Sequence, residues 1–343
     1  MNLPHSILVV GCGSIGERHL RGFLNTHRTR VAGCDVSATL RERMQQTYGV
    51  PTRVNWEAAM ASGDFTAAAI CTPAHLHVVM AQRALASGLH VLIEKPLSQS
   101  LDGVTELLGE HRLSRREAAL AYNYHIYPFL REAREYLKSA PLGPVQEVAV
   151  VSGQPFHLMR PAYAQTYYKN HHTGGGAIQD ALTHLANWVE SVVGPTDSVY
   201  CECAHLALPG VQVEDTVHIC SQHRGVLVSY ALNQFQTPNE TSMLFNTLGG
   251  SVKIEFHRHR WGTFSSSDRD WHWREHPAVE RDTHSLAQAN AFLDQIEGKS
   301  AQLCSLEAGA QTLRFNLAAL ASASAGQRVR CSELGATPHF LPW

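Results

Sequence analysis

The chain has 343 residues, of which 44% are apolar and 17% charged, and its formal net charge is −2. This length predicts two domains, and the composition is typical of a soluble globular protein. The small negative charge argues against a general nucleic-acid binder, and no apolar run approaches the roughly 20 residues that cross a bilayer.

The cysteines and histidines bear on the cellular location and on metal binding. The eight cysteines form no CxxC pair, and most lie in apolar runs where cysteine behaves as a small hydrophobic residue. The N-terminal MNLPHS has no basic segment, so we expect no signal peptide and a cytoplasmic location. The histidine clusters at 171–172, 257–260 and 271–273 lack the helical spacing and third ligand of a zinc site. We therefore predict no metal site.

The first 124 residues alternate between strand-length apolar runs and helical patterns. Ser37 opens a helix that ends near Gly49, Asn55 opens a short helix, and a helix at His75–Ser87 is stopped by Gly88. This alternation predicts a doubly wound α/β domain over residues 1–124, with a parallel sheet covered on both faces. The predicted strands are Ile7–Val10, Arg30–Cys34, Ala67–Cys71, Val91–Ile93 and Ala118–Ala121.

Residues 125–343 predict a second, α+β domain built on an open, mainly antiparallel sheet. Its predicted helices are Phe129–Ser139, Ile178–Val193, Leu286–Glu297 and Leu306–Ser324. Its predicted strands are Gln146–Ser152, Ser198–Ala204, Thr216–Ser221, Val226–Leu232, Met243–Thr247 and Ser251–Phe256. We interpret the polar residues 257–284 as a long irregular loop or flap. One sheet face has no obvious cover, so we expect a homodimer or homotetramer.

The segment GCGSIG places glycines at 11, 13 and 16, between the first strand and a helix. Gly11 permits the tight turn, Gly13 lets the backbone approach a pyrophosphate, and Gly16 allows close helix–strand packing. The helix N-terminus offers free N–H groups to phosphates. Asp35 ends the second strand, where a carboxylate binds the adenine ribose and repels a 2′-phosphate, which favours NAD over NADP. The alternative is a plain corner with a capping aspartate.

The fourth strand ends abruptly in Glu94-Lys95-Pro96. Ligands of doubly wound sheets lie at this carboxyl edge, and the proline stops the strand. A lysine here can reach a bound nicotinamide and its substrate, whereas a lone lysine would be an ordinary solvated charge.

Together these segments resemble the Gfo/Idh/MocA oxidoreductases, the glucose-fructose oxidoreductase and inositol dehydrogenase group. They occur in the family's order and span nearly the whole chain. The matching segments are GCGSIGERH at 11–19, CTPAHLHVVMA at 71–81, EKPLS at 94–98, YNYHIYP at 122–128 and GGGAIQDALTH at 174–184. The resemblance implies an N-terminal Rossmann domain that binds NAD, followed by a substrate-binding and oligomerisation domain.

The resemblance also implies site residues. The cofactor would contact Gly11, Gly13, Ser14, Ile15, Gly16, Asp35, Thr72, Pro73, His77, Glu94, Lys95 and Asn123. The catalytic set would be Lys95, Asp180 and His184, which would also bind substrate. In YNYHIYP, many relatives carry an arginine where Tyr124 or His125 stands, which leaves the substrate contacts open at this point.

Asp180 and His184 are four residues apart on one predicted helix and therefore share a face. The preceding glycines at 174–176 would let the backbone approach a ligand closely. The unperturbed pKa of histidine, about 6.5, suits His184 as the base in alcohol oxidation, with Lys95 stabilising charge on the same oxygen. The alternative is an aspartate near the helix dipole and a half-buried histidine. His125 and Tyr168 are candidates for substrate contact or for packing.

The leading hypothesis is an NAD-dependent oxidoreductase that moves a hydride between nicotinamide and a secondary alcohol or ketone of a sugar, cyclitol or sugar derivative. One alternative is an NADP-linked reductase of a keto-sugar nucleotide. Another is a dinucleotide-sensing regulator without catalysis, which has no need of the Lys95, Asp180 and His184 set.

Overall fold

The computed structural model describes residues 4–278, 281–299 and 303–335. The strands are β1 His5–Val10, β2 Thr29–Cys34, β3 Thr52–Arg53, β4 Ala67–Ile70, β5 His90–Ile93, β6 Ala118–Leu120, β7 Glu147–Gly153, β8 Ser198–Ala204, β9 Thr216–His223, β10 Val226–Asn233, β11 Glu240–Asn246, β12 Gly250–Glu255, β13 Arg260–Ser265, β14 His272–Glu275, β15 Cys304–Ser305 and β16 Val329–Arg330. The helices are α1 Ser14–Asn25, α2 Ala38–Tyr48, α3 Trp56–Ala61, α4 His77–Ala86, α5 Val104–Ser114, α6 Pro128–Ser139, α7 Phe156–Met159, α8 Thr183–Val193, α9 Arg281–Ile296 and α10 Leu306–Ala325. A π-helical turn, Ile178–Leu182, precedes α8.

The described residues form two units. The first holds residues 4–98, 102–126, 281–299 and 303–309. The second holds residues 99–101, 127–278 and 310–335. Helix α9 and strand β15 therefore belong to the first unit, although the sequence analysis groups them with the second domain.

The first unit is built on a seven-stranded sheet of order β15-β6-β5-β4-β1-β2-β3. Strands β1 to β6 pair in parallel, and β15 alone runs antiparallel, against β6. All residues of β1 and β4 are buried, as expected of strands covered on both faces. The order 3-2-1-4-5-6 reverses between β1 and β4, so the carboxyl ends of these strands open onto a ligand-binding edge. The predicted doubly wound sheet is confirmed.

Local capping explains where the helices of this unit begin. The Ser37 hydroxyl accepts the N–H of Leu40 at 3.4 Å, and the Asn55 side chain accepts that of Ala58 at 2.9 Å. Helix α2 ends at Gly49, whose φ of 65° favours glycine.

Helix α9 packs along α1 and completes the hydrophobic core of the first unit. Leu20 and Phe23 of α1 share a fully buried cluster with Phe292 and Leu293 of α9. The rings of Phe23 and Phe292 lie edge to face, with centroids 6.2 Å apart. Such pairs contribute about 0.5–1.5 kcal/mol beyond the burial of their area.

The second unit is built on a nine-stranded sheet of order β14-β13-β12-β11-β7-β10-β9-β8-β16. All neighbours are antiparallel except β7 and β10. Along β7 and β10, buried Val150 and Tyr230 alternate with exposed Val151 and Leu227. One face of the sheet therefore packs into the core and the opposite face carries exposed apolar side chains.

The interpretation of residues 257–284 as irregular is wrong. Strands β13 and β14 form an antiparallel hairpin within it, and α9 begins at residue 281; residues 279 and 280 lie outside the described part. Arginines stack on tryptophans across this hairpin: the guanidinium carbon of Arg260 lies 4.0 Å from the ring centroid of Trp273, and that of Arg274 lies 4.2 Å from that of Trp261. The hairpin is held by cation–π pairs of polar appearance and lacks the apolar alternation from which a strand is predicted.

Candidate active site

The three glycines of the first turn differ in what surrounds them. A Cβ on Gly11, whose φ is +91°, would lie 2.7 Å from the carbonyl oxygen of Cys71, and one on Gly16 would lie 1.7 Å from that of Gly11. A Cβ on Gly13 would meet no described atom within 4 Å. Gly11 and Gly16 are thus required by packing, whereas the space beside Gly13 is open for a ligand.

Helix α1 begins at this open position. The N–H groups of the first turn of any helix lack an intrahelical acceptor, and the N-cap Gly13 has no side chain that could accept one. The side chains of Ser14 and Ile15 are exposed there. Free N–H groups and the helix dipole fit a pyrophosphate.

Asp35 follows β2 and lies against the same turn. Its Oδ2 accepts the N–H of Cys12 at 2.7 Å, and its Oδ1 accepts the N–H of Ser37 at 2.8 Å. These two bonds fix the orientation of the carboxylate and leave lone pairs for ribose hydroxyls. Burial raises the pKa of the Cys12 thiol to about 12 and that of Cys34 to about 11, so the thiols beside the turn stay uncharged.

The loop after β4 contains the predicted contacts Thr72, Pro73 and His77. His77 is only 1% exposed, and its ring nitrogens lie 2.9 Å from the Pro96 carbonyl oxygen and 2.8 Å from the Thr72 carbonyl oxygen. The imidazole thus links the two loops that follow β4 and β5. We therefore expect His77 to act on a cofactor through the backbone it holds.

Glu94, at the end of β5, is held by a histidine from α1. His19 Nε2 lies 2.6 Å from Glu94 Oε1, and Glu94 Oε2 accepts the N–H of Lys95 at 3.1 Å. The two side chains are only 5% and 11% exposed. Burial alone would raise the pKa of Glu94, but the hydrogen bond and charge of His19 outweigh it and lower the pKa. His19 and the Lys95 N–H each bind one oxygen of Glu94. The contact of Glu94 with the cofactor ribose remains a prediction.

Asn123 begins a short 3-10 turn after β6. Its Oδ1 is buried and has no hydrogen-bond partner among the described residues. An unpaired buried amide oxygen is costly, which fits a bound group that donates to it. His125, two residues on, is 5% exposed.

In the second unit, the glycine run at 174–176 is explained by packing. A Cβ on Gly175 would lie 2.1 Å from the Tyr168 carbonyl oxygen, and one on Gly176 would lie 2.6 Å from both carboxylate oxygens of Glu214. Glu214 is fully buried; it accepts the N–H of Ile178 at 2.8 Å and lies 2.5 Å from His171 Nε2. The run therefore lets a buried ion pair approach the backbone, and the expected close approach to a ligand has no support here.

The predicted helix over 178–193 begins with a π turn. Asp180 lies within this turn and His184 lies in the first turn of α8. A π turn closes its hydrogen bonds over five residues, so the α-helical i, i+4 spacing does not by itself fix the angle between the two side chains, and their shared face stays a prediction. Such turns occur frequently at functional sites.

Asp180 is 5% exposed and receives a hydrogen bond from a tyrosine. The Tyr167 hydroxyl donates to Asp180 Oδ1 at 2.7 Å, and Arg160 Nη1 donates to the same hydroxyl at 3.2 Å. Arg160 and Tyr167 are exposed. A carboxylate fixed in this way can accept substrate hydroxyls without changing its rotamer.

Tyr168, the neighbour predicted as a substrate contact or a packing residue, packs in the core. It is 1% exposed, and its ring centroid lies 4.5 Å from that of Phe156 and 6.2 Å from that of Tyr163. The structure therefore supports the packing alternative.

Sequence reasoning did not select three supporting residues as site residues: His19, Tyr167 and Glu214. His19 lies inside the quoted segment GCGSIGERH, and Tyr167 lies beside the chosen Tyr168. No short-range signal marks Glu214, because its partners His171 and Ile178 lie about forty residues earlier in the chain.

The sheet order, the open glycine turn and the fixed carboxylate after β2 define a dinucleotide-binding protein. Residues 5–122 match the family profile of the oxidoreductase NAD-binding Rossmann fold, and residues 130–253 match the GFO/IDH/MocA C-terminal domain. The chain therefore belongs to the GFO/IDH/MocA oxidoreductase family and carries an NAD-binding domain.

Individual relatives agree with this assignment. The chain is 25% identical to inositol 2-dehydrogenase of Rhizobium meliloti over 187 residues, 54% of each protein. It is 30% identical to D-xylose 1-dehydrogenase (NADP(+)) 2 of Haloferax volcanii over 153 residues, 44% of this chain and 46% of the relative. The matches thus span about half the length of these curated relatives.

Solved structures show the same fold over nearly the whole chain. Levoglucosan dehydrogenase in complex with NADH and levoglucosan has a TM-score of 0.86 at 18% identity, covering 96% of this chain and 100% of the other. An oxidoreductase from Agrobacterium radiobacter, in complex with NAD+, L-tartaric acid and magnesium, has a TM-score of 0.82 at 15% identity, covering 96% and 98%. Within the described ranges, no helix is long and apolar enough to cross a membrane.

Proposed function

We propose that this protein is an NAD-dependent dehydrogenase that acts on a secondary alcohol of a sugar, cyclitol or sugar derivative. The observation that carries the proposal is Asp180, a nearly buried carboxylate held by Tyr167 on a π turn in a chain of this oxidoreductase family. Inositol 2-dehydrogenase and levoglucosan dehydrogenase, which the chain resembles, support a polyhydroxylated substrate.

The chain's own residues have separate tasks in this proposal. Hydride transfer is the chemistry that nicotinamide supplies when bound. The first turn of α1, Asp35 and the Asn123 amide would hold the dinucleotide. Lys95 would hydrogen-bond the substrate oxygen and stabilise its negative charge. His184 would take the hydroxyl proton in oxidation and return it in reduction, while Asp180 would orient the substrate hydroxyls.

The exposed sheet face of the second unit supports a homo-oligomer. Val151 of β7 is 53% exposed, Leu227 of β10 is 52% exposed and Tyr200 of β8 is 36% exposed, all on one face of the sheet. We propose that a second copy of the chain covers this face, as a dimer or tetramer. A monomer in light scattering would contradict this. No disulfide joins the eight cysteines, all of which lie in the described ranges, and this supports the reducing cytoplasm as the location.

A second candidate is a reductase that works in the opposite direction on a keto-sugar nucleotide. The observation behind it is 26% identity over 229 residues to dTDP-3,4-didehydro-2,6-dideoxy-alpha-D-glucose 3-reductase of Saccharopolyspora spinosa. That match covers 65% of this chain and 66% of the relative. NADPH would then be the preferred reductant, and Asp35 argues against it.

The test is turnover of a panel of sugars and cyclitols with NAD, followed by the absorbance of NADH. Lys95→Met and His184→Ala should each lower kcat by about 100-fold or more, and His184→Ala should keep its NADH affinity. The matched controls are Lys138→Met and His272→Ala, since both of these side chains are exposed. Near-normal turnover in a site variant removes that residue from the mechanism, and NADH binding without turnover by the wild type favours a sensor.

A further inference from the structure

The segment that leads to Asp180 has an unusual charge balance for this chain. Residues 154–179 contain Arg160, Lys169 and three histidines, and no aspartate or glutamate. The whole chain, by contrast, has 30 acidic and 28 basic residues. One of the three histidines, His171, is compensated by the buried Glu214. The first acidic residue after this segment is Asp180, whose charge raises the pKa of Arg160.

Arg160 is the cation of this segment that the structure brings to Asp180. Its guanidinium donates to Tyr167 Oη at 3.2 Å, and its Cζ lies 5.5 Å from the ring centroid of Phe156. The Phe156 ring and the Tyr167 hydroxyl hold the exposed side chain in one direction. Among the described residues it makes no direct salt bridge: the Tyr167 hydroxyl lies between it and the Asp180 carboxylate, whose charge raises the pKa of Arg160.

The positions of these two groups are complementary to a bifunctional ligand. Asp180 is an acceptor that suits hydroxyl groups, and Arg160 is a planar donor whose remaining N–H groups suit a carboxylate or a phosphate. A neutral sugar would leave the guanidinium facing solvent beside the bound substrate. An acidic sugar would use both groups.

We propose that Arg160 determines specificity for an anionic substrate, a polyhydroxylated molecule that carries a carboxylate or phosphate group. This inference rests on the proposed function, because it places the substrate hydroxyls at Asp180. Charge-assisted hydrogen bonds to such a group should improve binding about 10- to 100-fold over a matched neutral compound.

The experiment is calorimetric titration of the NADH-loaded protein at constant pH and ionic strength. The probe pairs are D-glucuronate against D-glucose and D-galacturonate against D-galactose, with D-glucose 6-phosphate as the phosphate probe. We expect at least one anionic probe to bind about 10-fold or more tightly than its neutral partner. The carboxylate and phosphate arms then identify which group Arg160 accepts.

Two variants assign the preference to the guanidinium. Arg160→Gln should abolish the preference for the anionic probe, and Arg269→Gln, an exposed arginine in the turn between β13 and β14, should keep it. The proposal is overturned if no anionic probe binds more tightly than its neutral partner. It is also overturned if Arg160→Gln weakens anionic and neutral probes equally, since Arg160 would then only support Asp180.

Turnover of the same probes with NAD separates this proposal from the proposed function. Loss of turnover across all probes counts against the dehydrogenase assignment and leaves the comparison of anionic and neutral binding intact. Turnover of neutral probes only, with no anionic preference in binding, supports the dehydrogenase and overturns the role of Arg160.

Discussion

Replacing Gly176 with alanine tests whether the glycine run serves the buried ion pair of Glu214 and His171. The φ of Gly176 is +95°, and its added Cβ would lie 2.6 Å from both Glu214 oxygens. Gly225 is the matched control, because its φ is +92° and a Cβ there would meet no described atom within 4 Å. Both substitutions strain the backbone, but only Gly176→Ala brings a Cβ against the Glu214 carboxylate.

The structure gives a magnitude for each variant. A left-handed alanine costs about 1–2 kcal/mol, which is the whole effect expected for Gly225→Ala. Gly176→Ala must also push the Glu214 carboxylate away from His171 and from the Ile178 N–H. Breaking a buried ion pair costs about 3–5 kcal/mol, so we expect a total loss of about 4–7 kcal/mol.

Urea unfolding followed by tryptophan fluorescence measures the difference, since Trp188, Trp261, Trp271 and Trp273 all lie in the second unit. The Asp180 N–H donates to the Gly176 carbonyl at 2.9 Å, so turnover should fall in Gly176→Ala even where the protein remains folded. Equal destabilisation by the two variants would refute the argument that the ion pair requires glycine.

Three further predictions concern the supports of the site. Glu94 contributes stability above pH about 4.5, and this stability is lost as the pH falls through its lowered folded pKa. His19→Ala should raise the pKa of Glu94, move the midpoint of acid unfolding to higher pH and cost about 3–5 kcal/mol of stability at pH 7. An unchanged midpoint in circular dichroism would contradict the pairing of His19 with Glu94. Tyr167→Phe removes the donor to Asp180 and should lower kcat/KM about 10- to 100-fold with an unchanged Kd for NADH; a change in the Kd instead would place Tyr167 at the cofactor. Asp35→Asn removes the charge and keeps one of the two acceptor oxygens that hold the Cys12 and Ser37 N–H groups. Because the lost hydrogen bond affects both cofactors alike, the ratio of the Kd for NADPH to that for NADH in fluorescence titrations should still fall about 10-fold. A constant ratio would show that the carboxylate does not select the cofactor.

The order and type of most elements could be predicted because local signals agree with the final fold. The cap at Ser37 and the left-handed Gly49 mark both ends of α2, and the apolar runs of β1 and β4 reflect burial on both faces. The hairpin of β13 and β14 gave no such signal. Its cohesion comes from arginine–tryptophan stacking, which looks polar in sequence.

Site details depended on neighbours that are distant in sequence. Tyr167 and Tyr168 are adjacent residues of the same type, so the sequence cannot distinguish their roles. Only the fold shows that Tyr168 packs on Phe156 whereas the Tyr167 hydroxyl donates to Asp180. The glycines at 174–176 indicated a close approach, but the approaching group is Glu214, whose position cannot be read from local pattern. The π turn could not be predicted for the same reason, since the N–H of its first residue, Ile178, is held by that glutamate.

The return of α9 to the first unit bears on how the chain is synthesised. Until Phe292 and Leu293 leave the ribosome, the apolar stripe of α1 at Leu20 and Phe23 lacks the part of its cover that α9 supplies. At about 5–20 residues per second, that interval lasts on the order of 15–50 s. The first unit is thus the first to be synthesised, but its core is completed only near the end of synthesis. A chain truncated at residue 126 should therefore require a chaperone to remain in solution.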